Sequence, residues 1–244
     1  MCALAAAATV VGTPARAQEK SATRDGFRLP PSSARILLFR PKVRVGAQST
    51  GGMFEPSAEW TDRARQNIVA ALSTAQARLG NSIIAAEEPV GPAAATLASY
   101  RALFATVADA VITYQFFPGN RLPTKKRKGA AFAWTLGPGV RDIPGAGAVD
   151  YILFLDTQDA FGSTGRKVAQ VFAAGLGVGI TSGVHSGYAG LVDARSGDLV
   201  WLNADKQMGG DVREPDGAAK RVAQLIEDFP GSAPSSSPAA GAAR

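Results

Sequence analysis

The sequence contains one cysteine, Cys2, and one histidine, His185. A lone cysteine excludes a disulfide framework and a thiolate zinc cluster, and a lone histidine excludes any site that needs two imidazoles. Aromatic residues are only 7% of the chain, so its core must be packed mainly from aliphatic side chains. Charged residues are scarce at 19%, and the 20 acids fall short of the 26 Lys and Arg, leaving a formal charge of +6. What is present is a 46% hydrophobic content over 244 residues. That composition belongs to a globular chain of one domain, or two at most.

Met1 to Gly12 is an uncharged run of small apolar residues, Pro14 breaks it, and Ala15-Arg16-Ala17 supplies a small-x-small pattern before Gln18. The run is well short of the roughly 20 apolar residues of a spanning helix and has the anatomy of an export signal cut after Ala17. This places the mature protein in the periplasm or on the periplasmic face of the outer membrane. No Lys or Arg precedes the run, which points to a start further upstream; in that case Cys2 becomes a candidate for lipidation.

Residues 18–33 are polar, hold Pro30-Pro31 and show no periodicity, so they are expected to form a flexible leader. Residues 230–244 are rich in Ser, Pro, Ala and Gly and are expected to be a disordered tail. A single α/β domain is expected over 34–229. Its first strand is Ala34–Phe39. A helix follows, capped by Ser57 and stopped by Gly80, with Trp60, Ala64, Ile68, Leu72, Ala75 and Leu79 at helical spacing. Ser82–Ala86 gives a second strand and Pro92 opens a second helix with Leu97, Tyr100, Phe104, Val107 and Val111 on one stripe. After a long Pro-rich connection, Asp150–Leu155 is a buried strand. Val168–Val192 then runs 25 residues without a Lys, Arg, Asp or Glu and holds six glycines. A hairpin through Gly197 and a last helix with Ala219, Val222, Leu225, Ile226 and Phe229 complete the chain. The fold class is α/β, a mixed sheet with flanking helices in the order β-α-β-α-β-(Gly-rich segment)-β-β-α.

The hairpin Ala189-Gly190-Leu191-Val192-Asp193-Ala194-Arg195-Ser196-Gly197-Asp198-Leu199-Val200-Trp201 resembles one that recurs in the curli-secretion lipoproteins. That group shares its fold with the TolB amino-terminal domain and with lipoprotein activators of penicillin-binding proteins. The match is close over 189–201 and loose over 34–80 and 150–156. The resemblance implies a bacterial envelope protein that works by binding or assembly rather than by catalysis.

Candidate chemistry is thin. The glycines at 175, 177 and 179 lack the third position of a dinucleotide loop, and Gly162–Lys167 lacks P-loop spacing, so tight packing is the expected role of these glycines and no cofactor is expected. His185 and Ser186 are the only pair suggesting a serine hydrolase, an alternative reading. As neighbours on a strand they would face opposite sides. Asp156 and Asp159 have no companion ligands and are expected in a solvated loop, and no metal site is expected. The sharpest charge feature is Lys125-Lys126-Arg127-Lys128, followed by Phe132 and Trp134. These six residues are the expected contact surface, toward an envelope protein or an anionic membrane or cell-wall surface. Nucleic acid is not expected as a partner; a cytosolic polyanion binder is the alternative if the amino-terminus is retained.

Overall fold

Four short apolar residues set the architecture. In Ile36-Leu37-Leu38-Phe39 the side chains alternate between two buried faces, and the computed structural model places Ile36 and Leu38 in one core and Leu37 and Phe39 in another. The structure describes residues 20–29, 32–124, 131–175 and 183–232. The expected export signal, Lys125–Lys128, the middle of the glycine-rich segment and most of the expected tail lie outside the described residues.

Among the described residues, nine strands form one mixed sheet: β1 (Lys20–Thr23), β2 (Arg35–Leu38), β3 (Lys42–Gln48), β4 (Phe54–Pro56), β5 (Ser82–Ala85), β6 (Trp134–Thr135), β7 (Tyr151–Gly162), β8 (Val184–Asp193) and β9 (Asp198–Asp205). The main path runs β1-β9-β8-β7-β2-β5, with β3 beside the far half of β7, β4 beside β3, and β6 beside β9. Strand β7 is the axis. Its first half pairs in parallel with β2, its second half in parallel with β3, and Tyr151 to Ala160 with β8 in antiparallel register.

Helices α1 (Ala58–Leu79) and α4 (Pro215–Leu225) cover one face, and α2 (Pro92–Tyr114) covers the other. Ser57 caps α1 by accepting from the Trp60 N–H, and Gly80 ends it in the left-handed conformation at φ 65°. The first core centres on Ile68, Leu72, Leu153, Leu191 and fully buried Trp201, whose ring meets Phe229 edge-on. The second centres on Phe104 stacked on Phe154, 4.8 Å between ring centres. The α2 helix is long and apolar enough to cross a membrane, yet Leu97, Phe104, Ala108, Val111 and Ile112 are buried in the second core.

The order of the principal elements is as expected, with four differences. Strand β1 falls inside the expected leader, pairing with Trp201–Ala204 of β9, and Leu29 is buried, so part of 18–33 belongs to the fold. The first strand ends at Leu38, before Pro41, but a further strand, β3, begins at Lys42 and continues along the same edge of β7. In the last apolar stripe Val222, Leu225 and Phe229 are buried as expected, but Ala218 and Arg221 are buried too while Ala219 is exposed. Finally, β7 continues seven residues past Leu155, through Asp156 and Asp159, into the expected solvated loop.

Candidate functional site: an outward apolar helix on a buried charged base

The far halves of β7 and β8 pair Asp159 with His185 and Ala160 with Val184. On the α1/α4 face of this strand pair lies a network of ionised groups. Asp159 and Arg221 both have no solvent exposure. Arg221 Nη1 donates to Asp159 Oδ2 at 2.6 Å and to Thr157 Oγ1 at 2.7 Å. Its Nη2 donates to Asp159 Oδ1 at 2.7 Å and to the Gly210 carbonyl, and its Nε donates to the Gly209 carbonyl. All five guanidinium N–H groups are thereby used, which offsets the cost of burying the charge. His185 Nδ1 lies 2.7 Å from Asp159 Oδ1, so one carboxylate joins β7, β8 and α4. Burial alone would raise the Asp159 pKa, but hydrogen bonds from His185 and Arg221 and the Arg221 charge outweigh it and hold the carboxyl below its ordinary value.

Toward the edge of this network Arg213 sits 3.8 Å from the centre of the Phe161 ring and 4.6 Å from that of Trp60. Its hydrogen bonds to Asp211 lower the carboxyl pKa of that residue. On the opposite face of β7, Asp156 is buried beside Lys42 at 3.4 Å, Arg44 at 3.9 Å and the Tyr188 hydroxyl at 3.3 Å. Burial first, and then the charges of Asp156 and Asp109, push the Tyr188 pKa up. Asp156 and Asp159 thus point to opposite faces with their oxygens engaged by cations and donors, which leaves no carboxylate pair to hold a metal.

The strand pair carries an excursion. Between Gly162 and Gly183 the chain forms α3 (Thr164–Gly175), begun by Ser163, whose Oγ accepts from the Arg166 N–H. The root of the excursion is held to the turn after β3. Arg166 donates to the Ser49 and Thr50 carbonyls, and Gln48 Oε1 accepts from the Gly183 N–H. At Gly165 a side chain would meet Thr50 Oγ1 at 2.8 Å, so glycine permits the close approach.

The helix is amphipathic in the reverse of the usual sense. Arg166, Ala169, Gln170 and Ala173, spaced three and four apart, are the half-buried side facing the protein. Val168, Val171 and Phe172 face outward at 51%, 75% and 73% exposure, and no residue of α3 is fully buried. Lys167 borders the stripe, and no Asp or Glu occurs between Asp159 and Asp193. The arrangement presents an apolar stripe with a basic margin, fixed at its root and open along its length.

The residues expected to form the contact surface fare differently. Lys125, Lys126, Arg127 and Lys128 lie outside the described residues. Phe132 is a correction: at 4% exposure it is part of the α2-side core, packed there because 131–149 folds back over that face. Trp134 is half-buried on β6, opposite Leu199 of β9. Ser186 and His185 do point to opposite faces. The Ser186 carbonyl accepts from Thr157 Oγ1, while the His185 ring turns to Asp159. Among the described residues His185 is hydrogen-bonded through its side chain to Asp159, and no side-chain hydroxyl or thiol is hydrogen-bonded to it. Asp156 and Asp159 are a second correction, being buried strand residues. Reasoning from sequence missed Arg221, although an arginine three residues after Ala218 and one before Val222, on an apolar stripe, is the sign of a cation turned inward.

No family model matches the chain, and no curated protein matches it. Among solved structures it is similar to the PelC dodecamer from Paraburkholderia phytofirmans, with a TM-score of 0.34 and 10% identity over 85% of this chain and 95% of that one. It is also similar to a methionine variant of that dodecamer, with a TM-score of 0.32 and 8% identity over 88% of this chain and 98% of that one.

Proposed function

We propose that the protein is an exported, non-catalytic component of a bacterial envelope that acts by binding or assembly, and that α3 is where it seats on an anionic lipid surface. The observation that carries the reading is the outward stripe of Val168, Val171 and Phe172 on a helix whose root is hydrogen-bonded in place. Full burial of a Val or Phe side chain is worth about 1.5–3 kcal/mol, so the three together supply on the order of 5 kcal/mol. Lys167, exposed at the margin of the stripe, adds about 1 kcal/mol near anionic head groups. A sum of this size gives reversible peripheral attachment rather than permanent insertion. The basic run Lys125–Lys128 is a second cationic element of the same reading, and export follows from the signal anatomy of residues 1–17.

Flotation with vesicles of phosphatidylglycerol and phosphatidylethanolamine tests the reading. The wild-type chain is expected to float, and Val171→Ser with Phe172→Ser to stay in the dense fraction. Capture of the wild type but not of the variant by a protein component of the envelope, with neither floating, would give α3 a protein partner instead. The mass of the mature amino-terminus, expected to begin at Gln18, tests export separately.

A further inference from the structure

Three strands of the sheet reach the same end of the molecule together. Gln48, the last residue of β3, lies beside Gly162, the last of β7, and β8 starts two rungs back with Val184 beside Ala160. Two chain segments project beyond this end. One is α3, and the other is the turn of residues 49–53 that leads from β3 into β4. They are bonded to each other. Arg166 donates to the Ser49 and Thr50 carbonyls, and the Ser163 N–H donates to the Gln48 carbonyl.

The turn carries Met53, which is 74% exposed. Its backbone is held on both sides: the Met53 N–H donates to Ser49 Oγ at 3.0 Å, and its carbonyl accepts from the Ser49 N–H at 2.9 Å. Gly52 supplies the positive φ of 88° that the turn requires, and its carbonyl accepts from Gln48 Nε2. Apolar side chains scattered singly over a surface need no explanation. These are not scattered. Among the described residues four large apolar side chains are more than 70% exposed, and three of them, Met53, Val171 and Phe172, belong to these two bonded segments.

The charges point the same way. Residues 48–54 carry none, and 160–184 carry only Arg166 and Lys167. The flanking acids are withdrawn or engaged. Glu55 lies one rung back on β4, opposite Ala47; Asp159 is sealed against Arg221, and Asp211 is bonded to Arg213.

We propose that Met53 is a second lipid contact beside α3, so that the protein meets an anionic bilayer with this end of β3, β7 and β8 directed at the surface. The proposal rests on the reading of α3 given above and adds an orientation to it. One amphipathic helix lying in an interface leaves the body free to roll about the helix axis; a second anchor tied to the root of that helix fixes the roll. An unbranched thioether side chain adapts to the irregular space among acyl chains. Because turn and helix are already bonded in the free protein, the second contact spends little on ordering.

The test uses the full chain on vesicles of phosphatidylglycerol and phosphatidylethanolamine. Met53→Ser is expected to weaken partitioning at least about fivefold, and Met53→Leu to keep it within about twofold, both with the wild-type urea midpoint. A nitroxide at Met53→Cys, in a Cys2→Ser background, is expected to be open to oxygen and shielded from a nickel chelate on the vesicles. The same label at Pro56→Cys, about 10 Å back along β4, is expected to stay at the aqueous side. If the wild type floats while Met53→Ser binds as tightly, or while the label at 53 is as open to the chelate as that at 56, this proposal is overturned and the reading of α3 stands. A wild-type chain that does not float removes both.

Discussion

Two neighbouring parts of this molecule are built in opposite senses. At the end of the β7–β8 pair, Asp159 and Arg221 are ionised and sealed from solvent, with His185 beside them. A few residues further along the chain, Val168, Val171 and Phe172 stand in water. The difference separates two kinds of cost. The buried charges are satisfied internally, bond by bond, and they weld β7, β8 and α4 at the root of the excursion. The exposed hydrophobes are not covered in this way, and the bonds of Arg166 and Gln48 hold the root of α3 to the turn after β3. A rigid root with an unsatisfied stripe is the arrangement of a contact element, in which binding energy is not spent on ordering the binder.

The largest effect should come from breaking the sealed side. Asp159→Asn leaves the Arg221 charge buried without its counter-ion, and a loss of about 3–5 kcal/mol in urea unfolding is expected. A loss below about 1 kcal/mol would show that water reaches this pair, and would remove the contrast. His185→Phe takes away one bond to a charged acceptor while Arg221 stays, so about 1–2 kcal/mol should be lost by the same measurement.

Acid sharpens the comparison further. The Asp159 pKa is depressed in the folded protein, so its stabilising contribution is complete above the ordinary carboxylate range, near 4, and is lost as pH falls through the lower folded value. The unfolding free energy of the wild type should therefore fall more steeply with acidification below about pH 4 than that of Asp159→Asn. Parallel curves would mean that Asp159 titrates normally.

The smallest effect on stability belongs to the exposed side. Replacing Val168, Val171 and Phe172 by Ser should change the unfolding free energy by no more than about 0.5 kcal/mol, because all three are exposed. The same triple variant should lose vesicle binding. A destabilisation of several kcal/mol would show instead that the stripe is folded onto the protein in solution.

The sequence carried the layers well and the site poorly, for a physical reason. Periodicity reports burial against an apolar core, so β2, α1, α2, the first half of β7 and the hairpin around Gly197 were legible. The Ser57 and Gly80 caps were legible too, since a cap depends on one residue's local chemistry. Lost were the parts that break the pattern. Asp156 and Asp159 look like loop residues because nothing nearby in sequence announces Arg221, 62 residues away from Asp159. Phe132 read as exposed because it follows four cations, although an aromatic ring can close a core from an irregular segment. The stripe of Val168, Val171 and Phe172 was not legible because it opens the glycine-rich segment, and periodicity gives only the existence of an apolar side. Which way that side faces depends on Arg166 and Gln48 at the root, contacts that span 117 and 135 residues.

The most direct measurement is the immersion depth of α3. Nitroxide labels at Val171→Cys and Gln170→Cys, each in a Cys2→Ser background, are compared by oxygen and nickel-chelate relaxation on anionic vesicles. The account predicts that the label at 171 is buried among acyl chains while its neighbour at 170 stays at the aqueous side. Equal water accessibility at both positions, on protein that is vesicle-bound, would contradict it.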